Sequence, residues 1–68
     1  MPKKIRELKS LLAKAGFTSR PGKGGHIIWQ HAKRPRIRVV LSGNDGRDAR
    51  AYQERQTAEA IREVEEAM

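Results

Sequence analysis

A glycine-rich turn that leads straight into strand-forming residues constrains this chain more than any other feature. The turn is Gly22-Lys23-Gly24-Gly25, and glycine permits the positive φ angles that a tight connection between two strands requires. Residues 26–32 follow with two isoleucines and a tryptophan, which favour β-structure. We therefore predict a strand over residues 26–32, paired through the turn with a short strand over residues 17–21.

The alternation of side chains along a strand assigns the two faces of the predicted sheet. In the strand after the turn, His26 belongs to one face, whereas Trp29 and His31 belong to the other. A second turn at Lys33-Arg34-Pro35 leads to a third strand over residues 36–41, in which apolar and basic residues alternate. One face of the sheet can therefore be buried while the other stays exposed and cationic.

Amphipathic helices flank the three strands. Residues 3–15 and 49–67 each carry apolar residues at helical spacing. Gly16 suits the left-handed residue after the first helix, Phe17 is expected to fold inward, and Asp48 is predicted to cap the second helix. The order predicts one two-layer α+β domain over residues 1–68: a three-stranded antiparallel sheet with two helices on one face.

The positive charge of the chain is concentrated in its first forty residues. The net charge is +7. Residues 1–40 contain eleven Lys or Arg and one acidic residue, whereas residues 41–68 contain four Lys or Arg and seven acidic residues. Such a basic half is typical of proteins that bind nucleic acid, although it is also compatible with a merely solvated surface.

Several classes of protein are not expected from this composition. The chain has no cysteine, which excludes disulfides and thiolate metal sites. Its two histidines, His26 and His31, do not have the spacing of a zinc site, so no metal or other cofactor is expected. Since no apolar run reaches transmembrane or secretory length, we expect a soluble cytoplasmic protein that does not enter a membrane.

Four short stretches carry a resemblance that covers nearly the whole chain. They are Leu8 to Phe17, Gly22 to His26, Leu41 to Gly43, and Asp48-Ala49 followed by Tyr52-Gln53. In this order they are similar to the HicA toxins of HicAB type II toxin–antitoxin modules. The resemblance implies a fold like that of a double-stranded-RNA-binding domain (dsRBD), and ribosome-independent cleavage of mRNA. It also implies one essential histidine, at the position of His26, and neutralisation by a HicB antitoxin.

The chemistry expected of His26 follows from the needs of RNA cleavage. RNA supplies its own nucleophile, the 2′-OH, so cleavage requires proton transfer and stabilisation of the charged phosphorane. An imidazole can transfer protons near neutral pH, and no acidic residue lies near His26 in the sequence. We therefore predict a metal-independent reaction that leaves a 2′,3′-cyclic phosphate, with His26 as general acid or base. The second proton-transfer group is not identified, and His31 belongs to the opposite face.

Cations and glycine backbone around the turn are the expected phosphate ligands. Basic side chains can hold the scissile phosphate, and exposed backbone N–H groups can do the same. The family most often has serine immediately before the histidine, where this chain has Gly25 and therefore lacks a hydroxyl. An acidic HicB-type antitoxin is expected to cover His26 and the basic face. The predicted RNA-binding residues are Lys23, Gly24, Gly25, Arg20 and Arg38.

Less specific interpretations remain open at this stage. The basic half and the element order would also suit a non-catalytic RNA-binding module, in which His26 has no special role. Trp29 could stack on a base, but a single tryptophan in a small domain is more often part of the core. Tyr52-Gln53 is interpreted as packing the second helix onto the sheet, and Asp48 as a cap rather than an acid catalyst.

Overall fold

One helix precedes and one helix follows a three-stranded sheet, as the sequence predicts. The structure is a computed structural model that describes residues 3–67. The predicted α+β class and the order helix, three strands, helix are confirmed, and this order is consistent with a dsRBD-like fold. None of the helices in residues 3–67 combines the length and the apolar character needed to cross a membrane. The elements are α1 (Ile5–Lys14), β1 (Thr18–Pro21), a single 3₁₀ turn (Lys23–Gly25), β2 (Ile27–His31), β3 (Arg34–Leu41) and α2 (Ala51–Ala67).

The sheet has one buried face and one open face. Its strands are antiparallel in the order β1-β2-β3. Trp29 lies opposite Val39 in the register of β2 and β3, and both side chains are buried, as is Leu41. The predicted alternation is therefore confirmed. The helices cover the buried face through an apolar core, whose buried members among residues 3–66 are Ile5, Leu8, Leu12, Phe17, Trp29, Val39, Leu41, Ala49, Ala60 and Val64.

The end of α1 forms the cap that its glycine predicts. Gly16 has φ +94°, its N–H donates to the carbonyl oxygen of Ala13, and the N–H of Phe17 donates to that of Leu12. These two bonds are the Schellman pattern, which satisfies carbonyl groups at a helix end. Phe17 follows at once and is buried, so the cap turns the chain into β1 with the phenylalanine in the core.

The start of α1 is capped by backbone from a distant loop. The N–H groups of Ile5 and Arg6 donate to the carbonyl oxygens of Arg47, at 2.9 Å, and Asp45, at 3.1 Å. Two of the N–H groups that a helix start leaves unpaired are thereby satisfied without any capping side chain. Residues 42–50, hereafter the β3–α2 loop, are therefore held against the first turn of α1.

The predicted cap of α2 is wrong. The helix begins at Ala51 rather than at residue 49, and Asp48 instead forms an ion pair and a β-bridge with Lys4. The cap is supplied from inside the helix, because Oε1 of buried Gln53 accepts a hydrogen bond of 2.8 Å from the N–H of Arg50. This is half of a capping box. It confirms the structural role expected of Gln53.

The predicted start of the third strand is also wrong. The turn before it consists of Ala32 and Lys33, and β3 begins at Arg34 and includes Pro35. A proline lacks the N–H that a central strand must donate, but β3 lies at an edge of the sheet, where proline is tolerated. The pairing is irregular between Gln30 and His31, which takes up the change of register beside the turn.

Candidate functional site

His26 stands at the junction between the 3₁₀ turn and β2, and its side chain is exposed. Nδ1 of its ring lies 2.8 Å from the carbonyl oxygen of Lys23. A carbonyl oxygen can only accept, so Nδ1 carries the hydrogen and donates it. In the neutral ring Nε2 then keeps its lone pair. The turn thus fixes the tautomer and leaves a free proton acceptor on an exposed ring.

The glycines give the turn the conformation that brings the Lys23 carbonyl under the ring. Gly24 and Gly25 have φ angles of +63° and +78°. The turn is closed by the N–H of Gly22, which donates to the carbonyl oxygen of His26 at 2.8 Å. A side chain at position 25 would have no neighbour within 4 Å, but its backbone would be strained at that φ. Gly25 therefore suits this turn better than serine would.

The predicted cations do not all surround His26. Lys23 meets the ring through its carbonyl oxygen, whereas its side chain is exposed. Arg20 lies opposite Ile28, two residues or about 7 Å along β2 from His26. Arg38 lies opposite Gln30, four residues or about 13 Å away. Arg20 and Lys23 are therefore grouped with His26, and Arg38 is not.

The surroundings of Arg38 differ in charge from those of His26. Arg38 lines a groove at the edge of β3 together with Glu59 and Glu63 of α2. The two carboxylates give this groove a negative charge that the surroundings of His26 lack. The phosphate-binding role of Arg38 stays a prediction, and the register places Arg38 about 13 Å along the strand from His26.

His31 belongs to the core, as strand alternation predicts. Its Nδ1 accepts a hydrogen bond of 3.1 Å from the N–H of Lys33, and its ring meets Phe17 edge-on with the centroids 5.2 Å apart. Only 7% of the residue is exposed. The two histidines thus have opposite hydrogen-bonding roles at Nδ1, and His31 packs on the face away from His26. Residues 3–67 contain no cluster of three or more His, Cys, Asp or Glu residues that could hold a metal ion.

A polar cleft that sequence reasoning missed lies at the same end of the sheet as His26. It has a volume of about 230 Å³. Ile27 faces Leu41 in the register, so His26 and Ser42, the next residues outward, lie at the same end of the two strands. Ser42 lines the cleft. The other lining residues are Ile5, Gly43, Arg47, Asp48, Arg50, Tyr52 and Gln53.

Tyr52 departs from its expected packing role. The sequence places it beside the apolar stripe of α2, yet 48% of the residue is exposed, and it lines the polar cleft instead. The sequence does hint at a polar site here, because two arginines, Arg47 and Arg50, precede α2 within five residues of this tyrosine. That signal does not reveal which way the ring points.

The comparison with protein families decides the family. The family described as the HicA toxin of bacterial toxin–antitoxin systems matches residues 5–63. The chain belongs to the HicA toxin family. Searches among curated proteins and among solved structures gave no significant match. The chain is therefore a toxin of a toxin–antitoxin system, and a cognate antitoxin is its partner.

Proposed function

We propose that this HicA family toxin is an endoribonuclease that cleaves mRNA without the ribosome and without a metal ion, with His26 as its general base and acid. One observation carries the proposal: Nδ1 of His26 donates to the Lys23 carbonyl at 2.8 Å. The exposed Nε2 is consequently the ring atom that can exchange a proton with a substrate. A positioned imidazole of this kind contributes about 10²- to 10⁴-fold to a rate.

The reaction uses atoms that RNA already contains. Nε2 of His26 removes the proton of the 2′-OH, and the 2′-oxygen forms a bond to the adjacent phosphorus. The bond from phosphorus to the 5′-oxygen then breaks, which leaves a 2′,3′-cyclic phosphate, and the proton held on Nε2 is given to the departing 5′-oxygen to form the 5′-OH. The carbonyl of Lys23 supports the first step, because it also accepts from the imidazolium that forms and keeps the ring oriented.

Arg20 and Lys23 supply the positive charge for this step. Both side chains are exposed, and Arg20 lies on the open face of the sheet, about two residues along the strand from His26. Charge that develops on the phosphorane oxygens is stabilised by cations already in place. The backbone N–H groups of Gly24 and Gly25 are further ligands in this proposal. Arg38 contacts RNA farther along the strand, outside the reacting phosphate.

The antitoxin partner is a HicB protein that covers His26 and the basic face. The open face of the sheet presents exposed arginines at positions 20, 36 and 38 and a half-exposed Val40. An acidic partner would neutralise these cations and bury the apolar residue among them. Occlusion of this face would keep RNA away from Nε2. A cognate antitoxin that leaves His26 accessible to RNA would contradict this mode of inhibition.

The test of the proposal is cleavage of a defined RNA by the purified protein, with and without EDTA, beside His26→Ala. We expect cleavage in both buffers, products that end in a cyclic phosphate and a 5′-OH, and no product from the alanine variant. Cleavage by His26→Ala at the rate of the unsubstituted protein would remove His26 from the mechanism. Loss of activity in EDTA, restored by a divalent cation, would remove the metal-independent route.

Arg38→Ala is the matched control for Arg20→Ala. Both arginines are exposed on the same sheet, but only Arg20 lies near His26. We expect Arg20→Ala to lower kcat, because its charge acts on the phosphorane, and Arg38→Ala to raise KM only. Equal loss of kcat in both variants would mean that distance from His26 does not matter.

A further inference from the structure

The polar cleft at the end of the sheet combines an exposed aromatic ring with two arginines. Tyr52 is 48% exposed, and it lines the cleft together with Arg47, Arg50 and Ser42. Among the Phe, Trp and Tyr residues that the structure describes, it alone is exposed, since Trp29 and Phe17 are buried. An exposed ring that shares a cleft with two arginines matches what single-stranded nucleic acid requires: a stacking surface for a base and cations for the backbone.

The unpaired charges of the cleft are those of its arginines. Both carboxylates of the β3–α2 loop form ion pairs with lysines. Asp45 pairs with Lys9 of α1, and Asp48 pairs with Lys4, the residue just before α1. Among residues 3–67, neither Arg47 nor Arg50 forms an ion pair with an acidic side chain. Although Asp48 lines the cleft, its negative charge is compensated by Lys4. The arginines are therefore available to an anionic ligand.

The backbone that carries these side chains is fixed before any ligand arrives. The carbonyl oxygen of Arg47 accepts from the N–H of Ile5 at 2.9 Å. The N–H of Arg50 donates to buried Gln53 at 2.8 Å. Ala49, which lies between them, is buried. A preorganised backbone lowers the entropic cost of binding, because only side chains have to become ordered.

We propose that this cleft is a nucleotide subsite, in which Tyr52 stacks on an unpaired base of the RNA while Arg47 and Arg50 hold an adjoining phosphate. The subsite rests on the proposed RNA substrate. The cleft lies at the same end of the sheet as the reacting centre, since Ser42, which lines it, follows Leu41, and His26 precedes Ile27, the residue opposite Leu41. In this proposal an RNA strand that crosses His26 continues toward Tyr52 at this end of the sheet. Because a duplex has no free base to offer the ring, this subsite favours single-stranded RNA.

The first test measures affinity for a single-stranded oligoadenylate by fluorescence anisotropy, with every protein also carrying His26→Ala so that the RNA stays intact. We expect Tyr52→Ala to weaken binding by about 5- to 150-fold, the range of a lost stacking contact. Tyr52→Phe keeps the ring and should bind as before. With an oligonucleotide that lacks its bases, Tyr52→Ala should make no difference. Equal affinity of the alanine and phenylalanine variants for oligoadenylate would overturn the subsite.

A spectroscopic readout separates stacking from an indirect effect on the fold. Tyr52 is the one tyrosine of the chain, so its ring proton resonances are unambiguous. Stacking on adenine should shift them upfield, and the shift should be absent with the base-free strand. Because the ring is half exposed, we expect Tyr52→Ala to unfold at the same temperature as the unsubstituted protein. Unshifted resonances at saturating RNA would exclude base stacking.

Arg62→Gln is the control for the phosphate contact of Arg50. Both arginines are exposed; Arg50 directly precedes α2, whereas Arg62 belongs to α2 and lies about three turns from the cleft. Arg50→Gln should lower the slope of log affinity against log salt by about one unit, and Arg62→Gln should leave it unchanged. The same slope change in both variants would mean that only the total charge matters.

Cleavage assays distinguish failure of the subsite from failure of the ribonuclease. With His26 intact, Tyr52→Ala should raise KM for single-stranded RNA. If His26→Ala abolishes cleavage but Tyr52→Ala changes neither KM nor affinity, the ribonuclease stands and the subsite is refuted. If the ring binds bases but no RNA is cut, the subsite stands and the ribonuclease is refuted. Loss of antitoxin binding alone in Tyr52→Ala would assign the cleft to a protein contact and overturn the proposal.

Discussion

Replacement of Gly16 by alanine should destabilise this fold in two ways, by straining the backbone and by crowding a buried side chain. Gly16 occupies the left-handed position after α1, with φ +94°. A Cβ atom there would lie 2.9 Å from Nε2 of His31, closer than nonbonded atoms approach. The ring cannot move freely, because the N–H of Lys33 holds its Nδ1 and Phe17 packs edge-on against it. Alanine therefore strains the backbone and also displaces a buried ring.

The magnitude follows from separating these two costs. A left-handed conformation costs a residue with a Cβ about 1–2 kcal/mol, and overpacking of a filled core costs about 1–3 kcal/mol. Their sum is about 2–5 kcal/mol. A domain of 68 residues has a free energy of unfolding of roughly 3–10 kcal/mol. The substitution should thus remove a large part of the stability of the protein.

Gly25→Ala provides the matched control, measured by urea denaturation followed by circular dichroism. Gly25 also has a positive φ, +78°, but a Cβ there would meet nothing within 4 Å. Gly25→Ala therefore has only the cost of the left-handed backbone and no cost of overpacking. Gly16→Ala should be less stable than Gly25→Ala by about 1–3 kcal/mol, or at least about 4 °C in Tm. Equal stabilities would refute the packing of His31 against the α1 cap.

Three further substitutions concern α2 and the loop before it. Gln53→Ala should cost about 1–2 kcal/mol of unfolding free energy, because it leaves the N–H of Arg50 without its 2.8 Å bond. Asp48→Ala should cost less than about 1 kcal/mol, since it removes only a surface ion pair; the reverse order in urea denaturation would restore Asp48 as the cap. Thr57→Val should leave stability unchanged or raise it by about 1 kcal/mol, because the buried Thr57 Oγ1 has no hydrogen-bond partner among residues 3–67. A clear fall in Tm for Thr57→Val would show that this hydroxyl is bonded.

Local patterns were sufficient for most of the fold. Alternation along β2 correctly separated His26 from Trp29 and His31, because a strand with one buried face tolerates no slip of register. Gly16 marked the end of α1, since few other residues adopt a positive φ. These predictions rest on backbone sterics and side-chain periodicity, which act within a few residues. They therefore needed no knowledge of what lies across the fold.

The errors occurred where distant segments decide the local structure. Asp48 has the chemistry of a cap, but Lys4, which is 44 positions away in the chain, competes for its carboxylate. The start of α1 is capped by carbonyl groups of Arg47 and Asp45, which leave no mark in the residue types. The residue type of Pro35 predicts a turn, but the proline lies in β3, an edge strand, which accommodates it.

The candidate site was predictable in part for the same reason. His26 and its turn are consecutive in the sequence, so the glycines and the strand pattern located them. The polar cleft joins the end of β3 to the start of α2, and its tyrosine was assigned to packing because helical periodicity says nothing about which flanking ring stays exposed. Charge and strand alternation put Arg38 on the basic face with His26, but neither gives the distance between them. The register separates them by about 13 Å.

The central claim is that Nδ1 of His26 orients the ring and Nε2 moves the proton. The single-turnover cleavage rate of His26→Asn tests it most directly, since an asparagine amide can still donate to the Lys23 carbonyl but has no group in the place of Nε2. We predict a variant that folds and binds RNA like the unsubstituted protein and cleaves at least about 100-fold more slowly. Cleavage within a few-fold of the original rate would contradict the account, because the ring would then serve the turn and not the reaction.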